Sequence, residues 1–193
     1  MVSKAEGDLN RDAKADVAFV LWPDEAMSRS EHRSDPDLPS YRLLVGFMQP
    51  NGGFRLIVDN GSLLDPPDPF GVNDDPLEAD AVRIVHGKLD ISRNFLRGHY
   101  RYRFRWSGRL MRLIGYDFVG SDGRCISDIS INFLTRNAAI ETEAIGEKGV
   151  VRRFARKITR SPVSIEEASA DGYYPLRDMA GPLTYCILDG QRV

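Results

Sequence analysis

A succession of short segments rich in β-branched and aromatic residues constrains the fold more than any other feature of the sequence. Between residues 41 and 145 such segments recur about every ten residues, with Gly, Asn or Asp between them. "YRLLVGFMQ" and "GFRLIVDN" flank "PNGG" (50–53), whose residues are expected to supply the positive φ angles of a hairpin turn. We predict an all-β fold, an antiparallel meander forming a partial barrel or sandwich. One short helix at most is expected, over 164–170, with Ser164 as its cap and Glu167 at the capping-box position.

Individual segments also predict which side chains face the core. "DVAFVLW" (16–22) is typical of a buried strand, and "AVRIVHGKLDIS" (81–92) is predicted as one strand with a bend at His86. "GHYRYRFRW" (98–106) alternates strictly, which indicates a strand with one apolar and one basic face. The residues expected to fill the core are Tyr100, Tyr102, Phe104 and Trp106. The residues expected to cover the outer face, paired with acids, are Arg101, Arg103 and Arg105.

Composition limits the class of protein. The chain has 193 residues, 42% hydrophobic and 28% charged, and we predict one β-rich domain over 1–193. The net charge of −2 gives no general attraction to nucleic acid, and no apolar run reaches the roughly 20 residues of a membrane span. Oligomeric state is left open. Cys125 and Cys186 form either one disulfide, in an oxidising compartment, or two buried thiols.

The most specific chemical signal is "GDLNRDAKAD" (7–16), in which oxygen-bearing side chains recur at every second or fourth residue and a hydrophobic strand follows. Ca²⁺ binds six to eight such oxygens in a curling loop. Twelve-residue counting from Asp8 reaches Phe19 inside the strand, so the loop is not an EF-hand. We predict a structural, non-catalytic calcium ion that holds the strand end. The expected ligands are the side chains of Asp8, Asn10, Asp12 and Asp16 and the backbone carbonyl of Lys14.

Residues 7–22 resemble the calcium loops of FG-GAP and integrin-type β-propeller repeats, whose pattern is close to G-D-L-N-G-D-G-x-x-D before a hydrophobic strand. The matching residues are Gly7, Asp8, Leu9, Asn10, Asp12 and Asp16. Arg11 and Ala13 stand where that pattern usually has glycine. If position 13 needs a left-handed conformation, alanine there costs about 1 kcal/mol relative to glycine. One such loop in 193 residues does not extend to a whole propeller.

Residues 41–145 resemble a family of small exported bacterial envelope proteins. The resemblance rests on the succession of segments along the chain: "LLVGFMQPNGGFRLIVDN", an acidic "DPFG" loop, "VRIVHGKLDIS", "YRYRFRW" and "LMRLIGYDF". The resemblance implies a β fold and export, and it brings no catalytic residues. The expected location is therefore the periplasm or the cell exterior. Residues 1–19 contain no apolar leader core, so a leader would already have been removed.

The segment 59–80 carries seven acidic residues, no basic one and four prolines. It is expected to be either a solvated crossover stiffened by its prolines or an anionic recognition surface with Phe70 as its anchor. The residues predicted to contact a partner are Asp68, Phe70, Asn73, Asp74 and Asp75, with the turn residues Ser107 and Arg109 as further candidates.

Catalytic motifs are missing from the sequence. His32, His86 and His99 have no metal-binding spacing, and neither a G-x-S-x-G elbow nor a phosphate-binding glycine loop occurs. We therefore expect a non-catalytic binding protein that contacts another protein, such as an inhibitor or immunity protein against a cell-wall-degrading effector. The alternatives are a hydrolase of envelope polymers that uses acidic-loop carboxylates and a purely structural envelope module.

Overall fold

The structure, a computed structural model, describes residues 1–22, 40–64, 77–146, 151–159 and 161–168, together with the backbone of 187–188 and 191–192. Its strands are β1 (Ser3–Gly7), β2 (Asp16–Leu21), β3 (Tyr41–Met48), β4 (Phe54–Leu64), β5 (Val82–Val85), β6 (Lys88–Phe95), β7 (Gly98–Trp106), β8 (Met111–Ser121), β9 (Cys125–Asn132), β10 (Asn137–Ala144), β11 (Val151–Lys157), β12 (Ile187–Leu188) and β13 (Gln191–Arg192). No helix occurs in these described ranges, and none that could cross a membrane. The predicted all-β fold is confirmed.

The first eleven strands form two antiparallel sheets, and β12 pairs with β13. One sheet has the order β1–β2–β3–β4, and the other runs β11–β10–β9–β8–β7–β6–β5. Each strand lies beside its neighbour in sequence within both sheets, which is the meander that the regular spacing of turns predicted. The sheets do not close into a barrel, and their arrangement is that of a sandwich.

The core lies where the inner faces of both sheets meet. The four-stranded sheet contributes Val20, Leu43, Val45 and Val58, and the seven-stranded sheet contributes Leu89, Ile91, Phe104, Leu113 and Ile129. On β7 the side chains of Tyr102 and Phe104 are buried, while Tyr100 and Trp106 are partly buried against them. The predicted alternation of β7 is therefore confirmed.

β1 joins the two sheets by lying against β5. A Cβ atom on Gly7 would come within 2.6 Å of the Ile84 side chain, so only glycine permits this approach. The buried Ser3 hydroxyl donates to the Ala79 carbonyl at 2.8 Å and accepts from the Val82 amide at 3.2 Å. β1 was not among the predicted strands, because its polar sequence "SKAEG" carries neither alternation nor an apolar run.

Two turns differ from their predictions. His86 and Gly87 have φ angles of 50° and 69°, and they form a two-residue turn that splits the single strand predicted over 81–92 into β5 and β6. Histidine tolerates the left-handed region better than most residues, and glycine follows it, as in other hairpins with two positive φ angles. In the 50–53 turn, which was expected to contain several positive φ angles, one residue, Gly52, has a positive φ, of 85°.

Segment 161–168 follows β11 and lies beside the first residues of β8. Leu113 donates its amide to the Val163 carbonyl at 3.0 Å, and Ile165 donates to the Met111 carbonyl at 2.8 Å. The Glu167 carboxylate accepts from the Ser164 amide at 2.9 Å, as the capping box predicted. Only a turn follows within the described residues, because Ser164 is held in a β-bridge to Arg112.

Cys125 is disulfide-bonded. Cys186, the other cysteine of the chain, lies outside the described residues.

Candidate functional site

The predicted calcium loop connects β1 to β2 as an eight-residue hairpin loop, residues 8–15. Arg11 and Ala13 have φ angles of 68° and 65°. These are the two positions at which the calcium-loop pattern usually has glycine, and the backbone adopts there the left-handed conformation that glycine favours. Each non-glycine residue in this region costs roughly 1 kcal/mol. The loop therefore keeps this backbone shape at a cost in stability.

The Asp8 carboxylate is the central hydrogen-bond acceptor of the loop. Its Oδ1 accepts from the amides of Arg11 at 2.6 Å and Asp12 at 3.2 Å, and its Oδ2 accepts from the amide of Ala13 at 2.9 Å. The Asn10 side chain adds a second bond to the Asp12 amide, at 2.9 Å. Consecutive amides that point at one carboxylate explain why the backbone curls at these residues.

Asp16 ties the loop to the sheet. It is fully buried, and its Oδ2 accepts from the amides of Leu9 at 2.8 Å and Asn10 at 3.3 Å. Its Oδ1 accepts from the amide of Met48, the last residue of β3, at 3.0 Å. These bonds compensate the burial of the carboxylate and hold Leu9 in the core beneath the loop.

The donor set of the loop suits a hard cation in its chemistry, but its carboxylates do not converge. Asp12 uses Oδ1 to accept from the Lys14 amide at 3.0 Å, and both oxygens of Asp8 and of Asp16 accept backbone amides. Within the described ranges no group of three or more His, Cys, Asp or Glu side chains is placed to hold a metal ion. The calcium site stays a prediction. Its proposed ligands remain the side chains of Asp8, Asn10, Asp12 and Asp16 and the carbonyl of Lys14.

The predicted partner-contact residues are only partly within the described chain. Asp68, Phe70, Asn73, Asp74 and Asp75 lie outside the described residues, and only the ends of the acidic segment, 59–64 and 77–80, are described. Residues 59–64 belong to β4, which runs four residues beyond the segment "GFRLIVDN" (53–60) that was predicted as a hairpin strand. Ser107 and Arg109 are exposed in the β7–β8 turn, where the Ser107 amide and hydroxyl both donate to the Leu110 carbonyl.

The outer face of the seven-stranded sheet carries the ion pairs that the alternation predicted. Arg103 bonds Asp90 at 2.9 and 3.1 Å, and this contact raises the pKa of Arg103 above its usual value. Arg101 bonds Asp117 at 2.6 Å on the neighbouring strand, and Ser130 donates to the same carboxylate at 2.8 Å. Two of the three predicted arginines of β7 are thus paired with acids of the strands on either side, whereas Arg105 stands opposite Lys88 and Arg112.

A shallow groove of about 450 Å³ continues this face over β9, β10 and β11. Arg153 forms a bidentate pair with Glu141, at 2.5 and 3.1 Å, and the hydrogen bond holds the pKa of Glu141 below its usual value. Small residues, Ala139 and Ala155, lie between the polar ones. The groove is therefore a polar surface whose charged side chains, Arg153 and Glu141, pair with each other.

The outer face of the four-stranded sheet is different, because it carries a group of apolar side chains beside the ion pairs Lys4–Glu6 and Arg42–Asp59. Phe54 and Leu56 on β4 are 48% and 56% exposed. Across the sheet, Met48 is paired with Phe54 and Gly46 with Leu56, while Leu44 is paired with Phe19. We call this surface the β2–β4 apolar face. Its members are Val17, Phe19, Leu44, Met48, Phe54 and Leu56.

Gly46 shapes the centre of the apolar face. A Cβ atom there would lie 3.2 Å from the Phe54 Cβ and 3.6 Å from a Val17 methyl, so glycine lets these side chains approach each other. At the β1 border, Lys4 lies 5.8 Å above the Phe19 ring and pairs with Glu6. The partner prediction did not include this face, although the sequence holds a signal for it. The runs "VAFVL" and "LLVGFM" are continuously apolar, which indicates strands with two apolar faces.

Comparison with known proteins gave no match that assigns the chain: no family model matches the sequence, and no curated protein or solved structure is significantly similar to it.

Proposed function

We propose that the protein is a non-catalytic, calcium-stabilised binding protein of the bacterial envelope that acts through protein–protein contact. The observation that carries the proposal is the β2–β4 apolar face. In a sandwich the outer face of a sheet is normally polar, and contiguous exposed apolar surface marks sites of protein interaction. Phe54 and Leu56 are the most exposed members of the face and stand on a strand at the border of the sheet.

Two observations support a location in the envelope. Cys125 is disulfide-bonded, and disulfides persist in oxidising compartments such as the periplasm and the cell exterior. The sequence resembles exported β proteins over 41–145. A small β protein of this kind suits an inhibitor or immunity protein that covers the site of a cell-wall-degrading effector. The acidic segment, with Asp68, Phe70, Asn73, Asp74 and Asp75, remains the proposed second contact.

The test is inhibition of peptidoglycan hydrolysis. Turbidity loss of purified cell walls is followed with representative amidases, lytic transglycosylases and muramidases, in the presence and absence of the protein. We expect the protein to slow at least one class, and Leu56→Arg to weaken the inhibition by roughly tenfold or more, the usual effect of charging an interface centre. Leu134→Arg is the matched control, because Leu134 is equally exposed, at 56%, on the β9–β10 turn.

Three outcomes would contradict the proposal. Inhibition that Leu56→Arg and Leu134→Arg weaken equally would remove the apolar face as the contact. Unchanged hydrolysis by all three classes would remove the cell-wall effector as the partner. Turbidity loss caused by the protein alone would favour the hydrolase alternative, and neutralising Asp68, Asp74 and Asp75 would then test whether the acidic segment supplies its carboxylates.

A further inference from the structure

β4 is the last strand of its sheet, and none of the described residues pairs with its outer edge. The direction of its backbone groups follows from the turn before it. Gln49 donates its amide to the Gly53 carbonyl at 2.7 Å, which makes these two residues a hydrogen-bonded pair. Because such pairs alternate with non-bonded ones along an antiparallel ladder, Met48–Phe54 and Gly46–Leu56 are non-bonded pairs. The N–H and C=O groups of Phe54 and Leu56 therefore point away from β3, toward the open edge.

Exposed edges are templates for pairing, and proteins usually protect them with charges, proline or a bulge. β4 has a bulge between its pairings with Val45 and Gly46, which lies beyond Leu56. The stretch Phe54–Leu56 before the bulge combines outward backbone groups with two exposed apolar side chains. It offers both parts of strand recognition, main-chain hydrogen bonds and alternate side-chain contacts.

Arg55 determines which strand fits this edge. It is exposed, it lies between Phe54 and Leu56 on the opposite face of β4, and no described carboxylate pairs with it. A second copy of this chain that paired over Phe54–Leu56 would bring two Arg55 side chains within about 8 Å of each other, which is unfavourable. A strand with an acidic residue opposite Arg55 instead gains a cross-strand ion pair. The charge thus favours a different protein over a second copy.

We propose that the edge of β4 over Phe54–Leu56 captures an extended segment of a partner protein as an added β-strand. The segment places apolar residues beside Phe54 and Leu56 and an acidic residue opposite Arg55, in the alternating order apolar, acidic, apolar. This inference rests on the proposed function, and it adds the mode of contact and the chemistry of the partner.

The test is selection from a library of random twelve-residue peptides displayed on phage, followed by NMR of the disulfide-intact protein with the synthetic peptides. We expect the selected peptides to share the apolar–acidic–apolar order and to slow hydrogen exchange of the Phe54 and Leu56 amides. Arg55→Glu should weaken their binding by about tenfold or more and should select basic peptides instead. Arg83→Glu on the edge strand β5 is the matched control and should change neither.

A backbone variant separates edge pairing from simple contact with the apolar face. Leu56→Pro removes an outward N–H without removing a bond to β3, and Leu56→Ala removes most of the same side chain but keeps the N–H. We expect Leu56→Pro to abolish peptide binding and Leu56→Ala to weaken it less. If Leu56→Pro does not fold, the charge reversal with Arg55→Glu decides.

Three results would overturn the inference: no enrichment of peptides, enrichment of peptides without an acidic residue, or binding that leaves the Phe54 and Leu56 amides unprotected. Dimerisation of the protein through β4 would overturn it as well. Loss of inhibition in Leu56→Arg together with any of these results would leave the proposed function standing and remove only the strand-capture mode.

Discussion

At the scale of single residues, the opening loop has an unfavourable backbone conformation that hydrogen bonds to its carboxylates offset. Its backbone requires left-handed conformations at Arg11 and Ala13, where side chains are unfavourable. Its carboxylates supply compensation, because Asp8 accepts three amides from the curl, and Asp16 accepts two from the start of the loop and one from Met48 of β3. The structural contribution of Asp16 is therefore present without any ion. A contribution of Asp12, which is exposed, is expected mainly when calcium is bound.

Calcium removal and addition separate these contributions. We expect Ca²⁺ to raise the melting temperature of chelator-treated protein, and a site filled at a hundred times its Kd adds about 2.7 kcal/mol of stability. Asp12→Ala should abolish the rise and change the chelated protein little. Asp16→Ala should abolish the rise and also lower the stability of the chelated protein by roughly 3 kcal/mol, since buried amides lose their acceptor. Differential scanning calorimetry with and without chelator measures all of these quantities.

Magnesium at the same concentration is the control for ionic strength. The absence of any shift at millimolar calcium would contradict the site, and equal losses for Asp12→Ala and Asp16→Ala in chelator would contradict the division of roles.

The sequence was informative about this loop only as far as local spacing reaches. The oxygen donors and the two unusual positions, Arg11 and Ala13, could be named because their pattern lies within ten neighbouring residues. The bond from Met48 to Asp16 could not be predicted, because it joins residues 32 apart that meet only when β2 pairs with β3. Phe54 and Leu56 were missed for a similar reason, since a bulge and an edge position decide their exposure.

At the scale of elements, Asn60 is the link between β4 and segment 161–168. Its side-chain nitrogen donates to the carbonyls of Ile165 at 2.5 Å and Ala168 at 3.0 Å. Its side-chain oxygen accepts from the amides of Ser62 and Leu63, both at 2.8 Å. Asn60 is only 4% exposed, and its bonds to Ile165, Ala168 and Leu63 are buried, so these three backbone groups have no ready replacement from water.

Replacing Asn60 should uncouple the two elements. We expect Asn60→Ala to lower the free energy of unfolding by roughly 2–4 kcal/mol, because buried carbonyls and amides lose their partner. Hydrogen exchange of the Leu113 and Ile165 amides should accelerate first, since their bonds hold segment 161–168 to β8. Urea denaturation gives the first quantity, and NMR exchange gives the second.

Asn137→Ala is the matched control, an exposed asparagine at the start of β10. It should change stability by no more than about 0.5 kcal/mol. A uniform acceleration of exchange across both sheets in Asn60→Ala would contradict a local link and indicate a general loss of packing.

Strands were predicted correctly from the sequence where the local residue pattern also decides which face of the strand is buried. The alternation of β7 is such a case, because period-two polarity can only be satisfied by a strand with one buried face. Prediction failed for β1, whose polar residues become a strand only because the loop returns the chain against β2. Of the segment 164–170, in which one short helix at most was expected, the described residues 164–168 form no helix: the capping pair is present, but Ser164 is bridged to Arg112 and a turn follows.

At the scale of the whole molecule, the two outer faces have different chemistry. The seven-stranded sheet presents paired charges, such as Arg103 with Asp90 and Arg153 with Glu141, whereas the four-stranded sheet presents the β2–β4 apolar face. The charged side chains of the seven-stranded sheet pair with one another, and each exposed pair contributes little to stability. Beside the apolar face lie the ion pairs Lys4–Glu6 and Arg42–Asp59, and Lys4 also covers Phe19, but Phe54 and Leu56 stay exposed. This asymmetry is what makes one side of the sandwich the candidate for recognition.

The paired carboxylates also determine how the whole molecule responds to acid. The Arg42 hydrogen bond lowers the pKa of Asp59, and the Cys125 amide lowers the pKa of Asp122 from its ordinary value of 3.8. Arg153 and the Ser164 amide lower the pKa values of Glu141 and Glu167 from 4.5. A carboxyl whose pKa is lowered by folding stabilises the protein above its ordinary pKa, and the contribution is lost as the pH falls through the folded value. The guanidinium pKa values that the same pairs raise stay far above this range.

We therefore expect stability to be level from pH 7 to about pH 5 and to fall below about pH 4, measured as the urea midpoint at each pH. Asp122→Asn keeps an acceptor for the Arg124 and Cys125 amides, each bonded at 2.8 Å, but no longer titrates. This variant should lose less stability on acidification than the parent, in high as in low salt, because its bonds run to backbone amides. Asp59→Asn should flatten the acid loss chiefly at low salt, since screening weakens the pair with Arg42. An acid loss in Asp122→Asn as large as that of the parent would show that the turn does not depend on the charged carboxylate.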